Sequence, residues 1–136
     1  MGPRRAAVSE EMSARALPEI WIVSSEQGAR VSLLAELIER GYDATGFLTI
    51  KDAIVRLIIA RASRPALIVC DLHEQSLDGK VTAALFREGV PLVALAGALE
   101  AEDETIRALP WAELLRRPIT IGAIADTVHR LVPPGG

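Results

Sequence analysis

Residues 66 to 70, Ala-Leu-Ile-Val-Cys, form an apolar run with no polar alternation, and the run ends on a carboxylate, Asp71. A strand with one face in water alternates apolar and polar side chains. An unbroken apolar run therefore describes a parallel strand covered on both faces, where an acid is tolerated only at the carboxyl end. Ligands of open α/β sheets bind at that end, so Asp71 reads as a reactive or ligand-facing acid. The following residues close in Asp78-Gly79, a turn signal.

The rest of the chain repeats the same alternation. Short apolar or extended runs at 20–23, 43–48, 91–96 and 113–116 are separated by segments predicted as helices near 27–40, 50–62, 79–88, 101–109 and 120–132. Val31, Leu34, Leu37 and Ile38 form one stripe, Ile54, Leu57 and Ile58 a second, and Ile121, Ile124, Val128 and Leu131 a third, each able to lie on a sheet. Gly41 stands where a helix C-terminus needs a left-handed residue, and Thr49 and Thr120 can cap the helices after them. Ser24-Ser25-Glu26-Gln27 has Ser and Gln at capping-box spacing. Strand and helix in alternation, joined by short loops, force parallel pairing through right-handed crossovers, so the fold class is a doubly wound α/β sandwich of five strands. Residues 1–18 read as a mobile leader or loosely docked arm, 19–132 as the single domain and 133–136 as a tail.

At 136 residues one domain buries roughly two thirds of the surface its unfolded chain exposes. Half the residues are apolar but only 4% are aromatic, so Leu, Ile, Val and Ala fill the core. The lone Cys70 excludes an intrachain disulfide, and no signal segment or membrane-spanning stretch is visible, which favours a cytoplasmic setting and no membrane partner. A formal net charge of −3, with the basic residues dispersed, leaves no footprint for nucleic acid.

Several landmarks together resemble the receiver domain of response regulators in two-component phosphorelay signal transduction. Asp71-Leu-His-Glu-Gln-Ser-Leu-Asp78-Gly79 reproduces the spacing of that family's phospho-acceptor strand and loop. Arg30 and Gly41-Tyr42 match the first helix, Pro91-Leu-Val-Ala-Leu the fourth strand, and Arg117-Pro118 the Lys-Pro after the fifth. The resemblance covers about residues 19 to 132 and implies a flavodoxin-like (βα)5 fold with Asp71 at the phospho-acceptor position. It also implies protein partners such as a histidine kinase or an output protein, and homodimerisation through the last helices.

The departures bear on chemistry. Ser24 and Ser25 replace the two acids that help hold Mg²⁺ in the family, Ala96 the hydroxyl residue closing the fourth strand, Leu114 the switching aromatic, and Arg117 the lysine. Phosphoryl transfer to a carboxylate needs positive charge where negative charge gathers. Magnesium dehydrates reluctantly and is held through carboxylates, so Asp71, with Glu26 as the one nearby substitute, is expected to bind it weakly if at all. The planar guanidinium of Arg117 can instead engage Asp71 through two parallel hydrogen bonds, giving a fixed pseudo-receiver, or it can point to solvent.

The remaining candidates have simpler readings. Cys70 points to the opposite face from Asp71 as a small hydrophobe, and His73 sits where the family lends a backbone carbonyl to the metal. His129 suits a helix C-terminus, and Glu100, Glu102, Asp103 and Glu104 a solvated helix start. Ser24 and Ser25 serve as helix caps, and Trp21 and Trp111 pack at strand edges.

Three functions follow in order. The first is a non-enzymatic, receiver-like signalling module acting by protein contacts. The second is a still-active receiver that uses Glu26 for its metal. The third is a cofactor module, because Asp71-Leu-His73-Glu-Gln-Ser76 partly resembles the Asp-x-His-x-x-Gly loop of cobalamin-binding domains. No nucleophile, base and orienter set for an outside substrate is present.

Overall fold

The computed structural model describes residues 17–135, so most of the expected leader and the last residue lie outside the described region. Its elements in chain order are β1 (Glu19–Val23), α1 (Gln27–Glu39), β2 (Asp43–Phe47), α2 (Ile50–Ile59), β3 (Leu67–Asp71) and α3 (Gly79–Arg87). They continue with β4 (Leu92–Ala96), α4 (Ala98–Glu102), α5 (Glu104–Arg107), β5 (Glu113–Arg116) and α6 (Ile121–Leu131).

All strand pairs are parallel, and the five-stranded sheet has the order β2-β1-β3-β4-β5. Every residue of β3 and of β4 is buried, as unalternated apolar runs require. Successive side chains leave a strand on opposite faces, and this divides the core in two. Trp21, Val23, Ile68 and Cys70 face α2 and α3, whereas Ile20, Ile22, Leu67 and Val69 face α1 and α6. The chain goes from β1 to one side of the sheet and then crosses to the other at β3. The switch point, where such sheets open a crevice, therefore lies between the carboxyl ends of β1 and β3.

Local chemistry fixes the element ends. The α1 helix closes in a Schellman motif: Tyr42 N–H donates to the Leu37 carbonyl and Gly41 N–H to that of Ile38, with Gly41 at φ +97°. Thr49 and Thr120 accept from Asp52 and Ala123 N–H as N-caps of α2 and α6.

Several expectations are corrected. The Ser24 to Gln27 capping box does not form. The α1 N-cap is Glu26, without a side-chain cap, and Ser24 turns toward Asp71 instead. Asp78-Gly79 is a helix start, not a turn between elements: the Asp78 carboxylate accepts from Val81 N–H at 2.8 Å. The single helix expected near 101–109 is two short ones, because Asp103 is extended and caps the second by accepting from Thr105 and Ile106.

Two stripes are rotated. Leu33 and Leu37 are the buried residues of α1, leaving Val31 and Ile38 exposed, and Ile58 of α2 is exposed as well. Trp21 lies on an interior strand, buried against Phe47 with ring centroids 4.7 Å apart, while Trp111 precedes edge strand β5 and meets Phe86 edge-on. No helix among the described residues is long and apolar enough to cross a membrane.

Candidate functional site

Sheet register builds the site. Val23 pairs with Cys70, so Ser24 emerges from β1 beside Asp71, the last residue of β3. Ala96 pairs with Arg116 at the end of β4 and β5, and the next residue extends that ladder, Arg117 N–H donating to the Ala96 carbonyl at 2.9 Å. Three strand ends thus deliver Ser24, Asp71 and Arg117 to the carboxyl edge of the sheet.

Asp71 is buried, and each carboxylate oxygen accepts two hydrogen bonds. Oδ1 takes Arg117 Nη1 at 3.0 Å and the His73 backbone N–H at 3.1 Å. Oδ2 takes Arg117 Nη2 at 2.7 Å and the Ser24 hydroxyl at 3.1 Å. A carboxylate offers about four lone-pair directions, and internal donors occupy all of them. The guanidinium lies fork to fork with the acid, the strongest geometry for such a pair. Of the two orientations open to Arg117, the chain adopts the inward one.

The surrounding residues take different parts. Ser24 is itself buried, and its hydroxyl also accepts from Glu26 N–H at 3.2 Å. Ser25 donates to the His73 carbonyl at 3.3 Å, the oxygen that the family resemblance would give to a metal. Glu26 is exposed, with its carboxylate 3.7 Å from the exposed His73 imidazole, and Glu74 lies 3.6 Å from the same ring. Ala96 is fully buried and Leu114 half-buried, both packed in the core on the α2 and α3 side of the sheet. Cys70 also faces that side, and burial, reinforced by the neighbouring Asp71 charge, pushes its thiol up to about 12.

Two positioning residues are absent from the sequence-based set of pocket residues. Arg30 donates to the Ser24 carbonyl at 2.7 Å and holds the β1–α1 turn. Gln75 ties two loops together, accepting from Ile50 N–H and donating to the Leu48 carbonyl. Arg30 was legible only as a family landmark, and nothing in the spacing of Gln75 signals its contact. Beneath the ion pair a cavity of about 170 Å³ runs between the sheet, α1 and α6, with Leu33, Leu95 and Ile124 on its floor and Ser24, Glu26, Asp71 and Arg117 at its mouth.

The donor set does not fit a divalent cation. Such an ion needs carboxylate oxygens with free lone pairs, whereas Asp71 is saturated and Ser24 spends its proton on it. The guanidinium already supplies positive charge at that point, and among the described residues no group of three or more His, Cys, Asp or Glu side chains is arranged to hold a metal ion.

No protein-family model matches the chain, and neither does any curated protein. Solved structures do. A response regulator receiver protein from Pseudomonas putida is 23% identical with a TM-score of 0.68, covering 83% of this chain and 96% of its own. A response regulator from Desulfuromonas acetoxidans is 16% identical with a TM-score of 0.69, covering 85% and 96%. The chemotaxis response regulator CheY4 of Vibrio cholerae is 17% identical with a TM-score of 0.68, covering 85% and 98%. Strand order, five parallel strands and these superpositions agree: the chain has the flavodoxin-like (βα)5 fold of response-regulator receiver domains.

Proposed function

We propose that this chain is a pseudo-receiver: a non-enzymatic signalling module, in or derived from a two-component phosphorelay, that acts by protein contacts with a kinase or output protein. Asp71 serves in it as a structural anion. The observation that carries this reading is the saturation of Asp71 by Arg117, Ser24 and the His73 backbone. A carboxylate oxygen attacks phosphorus through a lone pair, and here each lone pair already receives a donor. Freeing one means pulling Arg117 away from a buried acid, which costs about 3 to 5 kcal/mol for a fully buried pair and somewhat less here because Arg117 reaches solvent. The chemistry after transfer is also missing, since Ala96 offers no hydroxyl to a phosphoryl oxygen and Leu114 no aromatic ring to move.

The competing reading keeps an active acceptor with Glu26 as metal ligand, and it draws on the position of Glu26 at the mouth of the same cavity as Asp71. One experiment separates the two. The chain is incubated with acetyl phosphate or phosphoramidate and Mg²⁺, and its intact mass is followed beside Asp71→Asn. The pseudo-receiver gains no phosphoryl group. Efficient labelling that Asp71→Asn abolishes overturns this reading, and its loss in Glu26→Gln would assign the metal to Glu26.

A further inference from the structure

Helix α2 has the sequence IKDAIVRLII and carries large apolar residues outside its core face as well as on it. Ile50, Ala53, Ile54 and Leu57 face the core, yet Val55, Ile58 and Ile59 on the opposite side are 53%, 50% and 76% exposed, and Leu48 just before the helix is 53% exposed. Exposed large apolar side chains are not scattered over this molecule: half of those among the described residues belong to this one patch, and none lies on β5 or α6. Contiguous exposed apolar surface of this kind marks an interaction site.

Charge on the same face identifies the occupant. Asp52 and Arg56 are both exposed and stand one helical turn apart, about 6 Å along the axis, on one flank of the apolar stripe. Among the described residues neither is in an ion pair, a state they share with the exposed Arg61, Arg87 and Arg107, whereas Arg40, Arg64, Arg116 and Arg130 have carboxylate partners. When two copies of a helix pack antiparallel about a twofold axis, equivalent flanks meet. With the axis beside Val55, Asp52 of each copy comes across from Arg56 of the other, so the ion pair forms twice. The same setting brings Leu48 against the Ile59 of the second copy and lays the Lys51 stem over its Ile58. This patch is therefore complementary to itself in both shape class and charge, as an isologous contact requires.

We propose that the outer face of α2 is a homodimer interface, in which a second copy of this chain packs its α2 antiparallel across Val55 and exchanges Asp52–Arg56 ion pairs. The surface involved is small, which places the dimer in the weak, reversible class. It leaves the Asp71 site free and is independent of what that site does.

The test is sedimentation velocity and light scattering on the full chain from micromolar to millimolar concentration. A monomer–dimer equilibrium is expected, and Val55→Glu, which sets two carboxylates against each other at the axis, abolishes it. Asp52→Lys and Arg56→Glu, each alone, place like charges opposite one another twice and weaken the dimer about tenfold or more. An equimolar mixture of those two variants has complementary pairs again, so native mass spectrometry shows a heterodimer in excess over either homodimer. All three side chains are exposed, and circular dichroism confirms that each variant folds. A chain that stays monomeric at every concentration overturns the proposal. So does self-association that Val55→Glu leaves unchanged, or a mixture that pairs no better than its components.

Discussion

Only 2% of the Asp71 side chain is exposed, whereas 34% of the Arg117 side chain is, and this inequality decides what each contributes. Removing the guanidinium strands a buried anion with only Ser24 and the His73 N–H as donors. Removing the carboxylate leaves an arginine that can turn to water. Arg117→Met is therefore expected to destabilise the fold by about 2 to 4 kcal/mol, and Asp71→Asn, which keeps a carbonyl for the His73 N–H, by about 1 kcal/mol. Urea denaturation of the two single variants and the double variant measures both values and their coupling. An Asp71→Asn loss as large as that of Arg117→Met would show that the acid, not its exposed partner, carries the stability. The sequence offers the meeting of these residues as one of two orientations of Arg117, the other being toward solvent, and only the fold, which carries Arg117 past β4 to the end of β3, decides between them. What the sequence does not disclose is the part played by Ser24. A serine three residues before a helix reads as a cap, and only the three-dimensional neighbour at Asp71 makes it a donor.

At the scale of elements, the clearest local signals were the ones with a single physical cause. Gly41 is such a case: at φ +97° it closes the Schellman motif of α1, and a Cβ there would meet Pro134 only at an ordinary 3.5 Å. The cost of Gly41→Ala is thus conformational and not steric, about 1 to 2 kcal/mol, read as a fall of several degrees in Tm. Gly41→Asn should lose less, because Asn enters the left-handed region more readily. Equal Tm values for Gly41→Ala and wild type would mean that the helix end relaxes to another cap. Helix faces were less legible for a reason also visible in the sequence. Both α1 and α2 carry apolar residues around more than half their circumference, so Val31 and Ile38, or Ile58, fit a stripe as well as the buried Leu33 does. Periodicity finds a helix, but when a second apolar face exists it cannot say which one meets the sheet. Similarly, the acidic run at 100–104 conceals a cap, Asp103, that divides one expected helix into two.

Taken whole, the molecule is a sheet with two cores, and the polar groups sealed in those cores set how its stability responds to pH. Strand class and order were legible because unalternated apolar runs and short connections admit few parallel arrangements. The interior place of Trp21 was not, since nothing local tells an inner strand from an edge. Cys70 and Tyr42 are titratable groups at the two faces of the sheet. Burial raises the Cys70 thiol from 9.0 to about 12, with the Asp71 charge adding to it, and burial raises the Tyr42 hydroxyl, which donates to the Val132 carbonyl. Both shifts favour the neutral form in the folded state. Above pH 9 the unfolded chain releases the thiol proton while the folded chain retains it, so the unfolded state binds fewer protons and stability falls as pH rises. The loss begins near 9 and continues toward 12, amounting to a few kcal/mol over the interval, with Tyr42 adding in the same direction above its ordinary value of 10.0. Urea midpoints measured at pH 7.5, 9 and 10.5 should therefore decline, and Cys70→Ala should flatten the decline even though it lowers the midpoint at pH 7.5. Below the denaturation midpoint the thiol should also resist iodoacetamide at pH 9, where an accessible cysteine reacts within minutes. A Cys70→Ala variant with the same alkaline slope as wild type would move the cause away from the buried thiol, leaving Tyr42→Phe as the variant that must flatten it.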